Sequence, residues 1–594
     1  MKSIREQIFK EVKSAFKKHG LDESYAYVTV SNRPDLCDYQ CNGALAAAKQ
    51  LKKAPMAIAE EVLPDLEQSG LFEKIEAAKP GFINMTVSGE LLTKTITTME
   101  REEHLGYEGT EHPSKVILDY GGPNVAKPLH VGHLRSAIIG ESIKRIMAFA
   151  GDECIGDIHL GDWGLQMGLI VVELEERQPG LCYFDEGYEG EYLAEPPFTI
   201  TELEEIYPTA SARSKQDEEY YKRALAATRE MQSGRRGYQA LLGHIMNVSL
   251  ADLKKNYDRL HVSFELWKGE ADAAPYIPEM VEKMKADGYA YLSDGALVVD
   301  VAEEGDAKEI PPCMILKSDG AALYDTTDLA TLVWREQDYH PDRVLYVVDK
   351  RQQMHFTQVF RCAKKTGIVP QETDLLFLGF GTMNGKDGKP FKTRDGGVMR
   401  LSDLISDINE KMYGKIRENQ SMSDEEARET AKIVGLAALK YGDLSNQPSK
   451  DYVFDLDRFT SFEGNTGPYI LYTIVRIRSI LRKFEEGQAL SSPAEEIASY
   501  AILTPDNDGQ RELMLILARF VEAMEGAYQG YAPNRLCAYL FELCNAFNHF
   551  YHETKILSLE EEDRKKSYIH MLNIALKVLL TSIDLLGFEA PEKM

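Results

Sequence analysis

Residues 115–150 read KVILDYGGPNVAKPLHVGHLRSAIIGESIKRIMAFA, and this stretch decides the fold. The run 115–120, with β-branched Val116 and Ile117, predicts a strand ending in Asp119 and Tyr120. Gly121, Gly122, Pro123 and Asn124 break it. From His133 onward Ile139, Ile143, Ile146 and Met147 recur at helical spacing. Between strand and helix lie Lys127, His130, Gly132 and His133. Two imidazoles three residues apart can sit together at a helix start, where free backbone N–H groups and the helix dipole favour an anion. Gly132 leaves room for a ligand against the backbone, and Lys127 adds a flexible cation. The pattern suits a nucleoside triphosphate; taken alone, two such histidines also suit helix caps or a weak metal site.

A chain of 594 residues is long enough for three or four domains with sizeable cores. The formal charge of -27 does not mark a nucleic-acid binder, so any RNA partner requires basic residues segregated onto one face. The eight cysteines are scattered without C-x-x-C pairs, and Cys37 with Cys41 alone makes a poor zinc site, so no protein-built metal site is expected. The start MKSIREQIF has no apolar signal core and no run of about 18 apolar residues follows, so the expectation is a cytoplasmic protein without membrane spans.

Ile4, Ile8, Val12 and Phe16 predict one face of a first helix that Gly20 can stop. Strands are expected at 27–30 and 82–87, with helices around 44–48 and 56–66, so residues 1–110 form a small α/β domain. The run 155–168, IGDIHLGDWGLQMG, bends at glycines, which suits a pocket floor where the backbone passes close to a ligand. Residues around 170–260 are highly charged and read as a helical insertion outside the sheet. The apolar runs 344–348 and 375–380 predict buried parallel strands, leading respectively to Gln352 with His355 and to a basic glycine loop at 381–397. In that loop Lys386, Lys389, Lys392 and Arg394 can close over phosphates and stabilise a leaving pyrophosphate. From 406 the chain is helical, and Leu536, Leu540, Leu543, Phe547 and Phe550 form a core stripe.

His-x-Gly-His at 130–133 resembles the signature of class I aminoacyl-tRNA synthetases and of related nucleotidyltransferases. The preceding Pro123-Asn124-Val125-Ala126-Lys127-Pro128 resembles the arginyl-tRNA synthetase family in particular. So do Asp38-Tyr39-Gln40-Cys41-Asn42, Gly161-Asp162-Trp163-Gly164, Phe462-Glu463-Gly464-Asn465-Thr466-Gly467-Pro468-Tyr469 and the closing residues to Met594. The chain departs from the family pattern at five points, one being Cys37, which precedes Asp38 where Gly is common. Lys-Met-Ser-Lys is absent from the basic loop, Asp119 stands where Glu is common, Gly121 and Gly122 replace a Ser-Ser pair, and Asp-Ala-Leu-Arg is replaced near Ala532.

The resemblance implies an α/β protein of three parts. An N-terminal α/β accessory tRNA-binding domain spans 1–110, a class I Rossmann-like parallel-sheet catalytic domain spans 111–405, and an all-α anticodon-binding bundle spans 406–594. It implies a cytoplasmic, monomeric arginine–tRNA ligase that uses ATP, with Mg²⁺ accompanying the nucleotide. Another class I synthetase, or a small-molecule nucleotidyltransferase with the same His-x-Gly-His, is the alternative. Catalytic roles fall to His130, His133, Lys127, Lys392 and Arg394, and nucleotide contacts to Asn124, Gly132, His133, Gly161 and Asp162. Arginine is expected to meet Asp119, Asn124, Tyr324, Asp328 and Gln352, with Asp328 dominating through a paired contact. Asn545, Asn548 and Tyr551 are expected to face arginine tRNA.

Overall fold

The computed structural model describes residues 1–127, 129–389, 391, 399–418, 422–488 and 490–594. They form two compact units, one of residues 1–110, 461–585 and 589–594, the other of residues 111–460 and 586–588.

In the first unit the Ile4–Lys18 helix starts at a capping box, in which Ser3 Oγ accepts from Glu6 N and Glu6 accepts from Ser3 N. It buries Ile4, Ile8, Val12 and Phe16, as the spacing predicts. An antiparallel sheet follows in the order Val28–Val30, Tyr39–Cys41, Phe82–Val87, Phe72–Ala78. The short Tyr39–Cys41 strand carries too few residues for its period to be read. Residues 1–110 do not stand alone: Asp38, 5% exposed, takes both Nη atoms of Arg511 at 3.1 and 2.7 Å and joins the sheet to the C-terminal helices in one unit. Those helices include Gly467–Gln488, Pro533–Glu553 and Glu562–Leu585. The last is long and apolar enough to cross a bilayer by composition, and 67% of its apolar window is buried within the protein.

The second unit is built on four parallel strands in the order Asp374–Phe380, Arg343–Asp349, Lys115–Tyr120, Glu153–Asp157. The chain begins in the interior strand Lys115–Tyr120, moves to one side through the Val131–Phe149 helix, and returns later to fill the other side. The strand order therefore reverses between Lys115–Tyr120 and Arg343–Asp349, and ligands of open α/β sheets bind at the carboxyl ends beside such a reversal. Ser136 pins the helix at this point: Gly121 N donates to its Oγ at 2.7 Å, and its hydroxyl donates to Val347 O at 2.6 Å. The helices Leu165–Arg177, Ile200–Ser214, Glu218–Gln232 and Arg236–Arg259 occupy the charged insertion and add no strand to this sheet.

The helical region divides later than the sequence suggests. Leu401–Arg417 and Asp424–Leu444 pack with the parallel-sheet unit, and the C-terminal helices of the first unit begin at Ser461 rather than at 406. A buried ion pair ties the second of these helices to that unit. Arg135, in the helix after the histidine motif, meets Asp443 at 3.0 Å with 2% and 0% of the two side chains exposed. Arg135 Nη1 also donates to Gly381 O at 2.5 Å, and Tyr452 Oη donates to Asp443 at 2.7 Å. Removing one partner strands a charge in the interior, at about 3–5 kcal/mol. We expect Asp443→Ala to cost that much stability in urea unfolding, whereas replacing both partners with apolar residues recovers most of it. All three tryptophans (Trp163, Trp267, Trp334) lie in this unit, so their fluorescence reads it selectively.

Candidate active site

The carboxyl ends of the parallel strands open into a cavity of about 900 Å³. On one wall is the start of the Val131–Phe149 helix. His130 caps it, and its Nδ1 accepts from Gly132 N at 3.0 Å. His133 Nδ1 accepts from His130 N at 3.1 Å, and the two rings lie 3.9 Å apart. A neutral imidazole whose Nδ1 accepts must carry its proton on Nε2, so the backbone fixes one tautomer in both rings. Burial, then the Lys127 charge, holds His130 below its ordinary value. Burial, then the neighbouring His130 and Lys127, pulls His133 down to about 3. Near neutral pH both are uncharged N–H donors. Gly132 is required by this packing, because a Cβ there would lie 2.7 Å from His130 Cε1.

The floor is a two-strand crossing. Val125 N donates to Gly161 O and Gly161 N to Pro123 O, each at 3.1 Å. A Cβ on Gly161 would lie 2.2 Å from Asn124 Oδ1, so a larger residue here would displace the Asn124 side chain. Gly161 and Asn124 line the cavity. Asp162 instead turns to Ala271 N at 2.9 Å, and burial pushes its carboxyl up to about 6. Lys127 does not line the cavity; its Nζ lies 4.4 Å from the Tyr207 ring centroid on the Ile200–Ser214 helix. Lys392 and Arg394 lie outside the described residues. The chain returning from their loop runs beside the histidine motif: Val131 N donates to Met399 O at 3.1 Å and Leu401 N to Leu129 O at 2.9 Å.

Acidic and polar groups also line this cavity. Asp119, Tyr324, Asp328 and Gln352 all line it, together with Glu270, His159 and His355, which sequence reasoning did not assign. Asp119 is engaged from within: Arg335 Nη2 bonds its Oδ2 and Asp157 Oδ2, each at 2.6 Å. Asp328 is engaged likewise, since His355 Nε2 meets its Oδ2 at 2.5 Å while His355 Nδ1 meets Asp325 at 2.6 Å. His355 thus occupies one acceptor position on Asp328 Oδ2 and leaves Oδ1 without a protein partner among the described residues. Burial lowers His355, but the hydrogen bonds and charges of Asp325 and Asp328 outweigh it and raise it to about 9. Burial, then Asp162 and Asp328, push Glu270 up to about 7 against the pull of His159. The spacing Gln352 to His355, one turn apart after a strand, was the available signal for His355. No cluster of three or more His, Cys, Asp or Glu among the described residues is placed to hold a metal.

A second face lies on the C-terminal helices. Tyr472 and Tyr551, 41% and 37% exposed, flank Arg476, whose guanidinium carbon lies 4.7 and 5.2 Å from their ring centroids. Asn545 accepts from Tyr469 Oη at 2.7 Å and Asn548 from Arg476 at 2.7 Å, while Phe547 is buried in the core stripe.

The raised His355 gives a sign for pH dependence. Its ion pairs with Asp325 and Asp328 contribute fully below the ordinary value of 6.5 and are lost as pH rises through about 9. We expect Tm to fall as pH is raised through about 9, and the fall to be smaller in His355→Gln, measured by thermal unfolding across the alkaline range.

Three family models match the chain: the class I (R) tRNA synthetase catalytic domain over residues 95–456, the DALR anticodon binding domain over 470–594, and the arginyl tRNA synthetase N terminal domain over 2–87. The chain is 60% identical over 602 residues to an arginine–tRNA ligase of Agathobacter rectalis, and 56% identical over 595 residues to one of Alkaliphilus oremlandii, covering 100% of both chains in each case. Its fold is similar to that of the arginyl-tRNA synthetase of Plasmodium falciparum (TM-score 0.80, 23% identity, 100% of both chains). It is also similar to that of Thermus thermophilus (TM-score 0.78, 23% identity, 99% of this chain and 100% of the other). With whole-length relatives at this identity and the catalytic-domain model covering most of the sequence, the chain belongs to the class I arginyl-tRNA synthetase family.

Proposed function

We propose that this protein is an ATP-dependent arginine–tRNA ligase. It joins arginine to AMP with release of pyrophosphate, then passes the arginyl group to the 3′-terminal ribose of arginine tRNA. The observation that carries this reading is the polarity of one cavity. Neutral N–H donors at a helix N-terminus and separately held acceptors line it together.

In the first step an arginine carboxylate oxygen attacks the α-phosphorus, a P–O bond forms, and the bond to pyrophosphate breaks. The carboxylate is already ionised near neutral pH, so no general base is needed. The Nε2–H groups of His130 and His133 donate to phosphate oxygens as negative charge builds, and being neutral and fixed they need little reorganisation. Asn124, Gly132 and Gly161 belong to the nucleotide side, with Asp162 supporting that floor from behind through Ala271 N. Lys127, Lys392 and Arg394 are the cations proposed for the departing pyrophosphate, with Lys127 leaving Tyr207 to reach it. Mg²⁺ enters with ATP, whose oxygens supply the hard ligands that this ion prefers.

Arginine is read by Asp119, Asn124, Tyr324, Asp328 and Gln352, joined by Glu270. A guanidinium offers five N–H donors in a plane, and separate acceptors match that fan better than one carboxylate does. Lysine supplies the charge without the fork and citrulline the shape without the charge, so each leaves buried groups unpaired at roughly 1–3 kcal/mol apiece. Tyr472, Arg476 and Tyr551 suit the stacking of unpaired anticodon bases. The protein is proposed to act as a cytoplasmic monomer away from membranes, and to need bound tRNA for efficient activation.

The test is ATP–pyrophosphate exchange across the twenty amino acids, with and without total tRNA. Arginine alone is expected to support exchange, and His133→Ala to reduce it by about 10² or more, the scale of one lost transition-state donor. Strong exchange with another amino acid, or an effect of His133→Ala below about threefold with the fold intact, contradicts the assignment.

A further inference from the structure

His355 lines the cavity beside Tyr324, Asp328 and Gln352 and is bonded on both sides of its ring. It sits in the first turn of the Gln353–Lys365 helix, where the helix dipole opposes a positive charge. It is nevertheless bonded through both ring nitrogens to carboxylates on the first turns of the Tyr324–Tyr339 helix, at 2.6 Å to Asp325 and 2.5 Å to Asp328. The exposures are 24% for His355, 14% for Asp325 and 17% for Asp328, so solvent screens these bonds only partly. Phe356, buried, lies edge-on at 4.9 Å and limits ring rotation. Of the two helices joined in this way, one carries Tyr324 and Asp328 and the other begins directly after Gln352.

We propose that His355 is a positioning residue for arginine selection, locking one oxygen of Asp328 and holding the two helix starts in register so that the guanidinium meets fixed, single acceptors. Without the imidazolium, Asp325 and Asp328 face each other as like charges one turn apart. They then share a proton or swing apart, and the pocket becomes a diffuse negative site. Such a site still attracts any cation but no longer matches the planar fork, so arginine loses more than lysine does. Asp328 Oδ1 takes no protein partner among the described residues and is the oxygen left for substrate.

This inference rests on the arginine reading of the site, and the experiment separates the two. Exchange kinetics are measured for the wild type, H355Q and H355A with arginine, lysine and ATP varied in turn. Wild-type exchange without arginine dependence overturns the parent reading and this inference with it. With the parent reading intact, H355A is expected to raise the arginine KM at least about tenfold and H355Q by less. The ATP KM is expected to stay within about twofold, and the arginine-to-lysine preference in kcat/KM to fall. Added imidazole is expected to restore the arginine KM of H355A. An arginine KM within about twofold of wild type in H355A, an equal rise in the ATP KM, or failure of both variants to fold by circular dichroism overturns the positioning role.

Discussion

Two backbone N–H groups, at His130 and Gly132, hold two imidazole rings in one tautomer at the start of a helix, and the architecture around them serves that constraint. An Nδ1 that accepts from the backbone cannot be protonated without breaking the cap, and burial makes a cation there costlier still. The rings are therefore donors that stay neutral through the physiological range. Ser136 fixes the same helix to Gly121 and Val347, one on each side of the strand-order reversal, and Arg135 anchors it to Asp443. Strands, helix and histidines thus share one frame.

The acidic groups of the cavity follow a different electrostatic rule. Their carboxylates are not left as bare charges, because Asp119 is shared with Asp157 on Arg335, and Asp328 with Asp325 on His355. Internal pairing lowers the cost of burying several acids together and fixes where each oxygen lies. It also changes how selectivity arises. A cation entering among them meets an array of single oxygens, a phenol and an amide, not a mobile pair of negative charges. Fixed acceptors discriminate shape, whereas net charge alone discriminates only sign.

Where residues next to each other in sequence decide a structure, the sequence was readable. The alternation and breaks of 115–150 place the strand, the turn and the helix, and the stripes from Ile4 to Phe16 and from Leu536 to Phe550 are core as their spacing implies. Asp119, Asn124, Tyr324, Asp328 and Gln352 reach one cavity. What depends on partners far along the chain was not readable. Arg335 lies 216 residues from Asp119, and nothing near either one announces the bond. Lys127 stacks on Tyr207, from an insertion whose composition predicts helices but not their contacts. The Asp424–Leu444 helix is tied to the parallel-sheet unit by Asp443, which answers an arginine 308 residues earlier. Asp328 is paired to His355, which arrives from a different helix, and the spacing around Asp328 does not announce that partner.

The neutrality of the two motif histidines is the centre of this account, and nitrogen NMR on protein labelled only at histidine reads it directly. Signals of His130 and His133 are identified by their loss in single Gln variants at each position. The account predicts that near pH 7 and above Nε2 carries the proton and Nδ1 does not in both rings, with His133 unchanged between about pH 6 and 8, the range in which an ordinary histidine titrates, and His130 titrating below the ordinary value. Protonation of both nitrogens of either ring near pH 7, or the opposite tautomer, would contradict it.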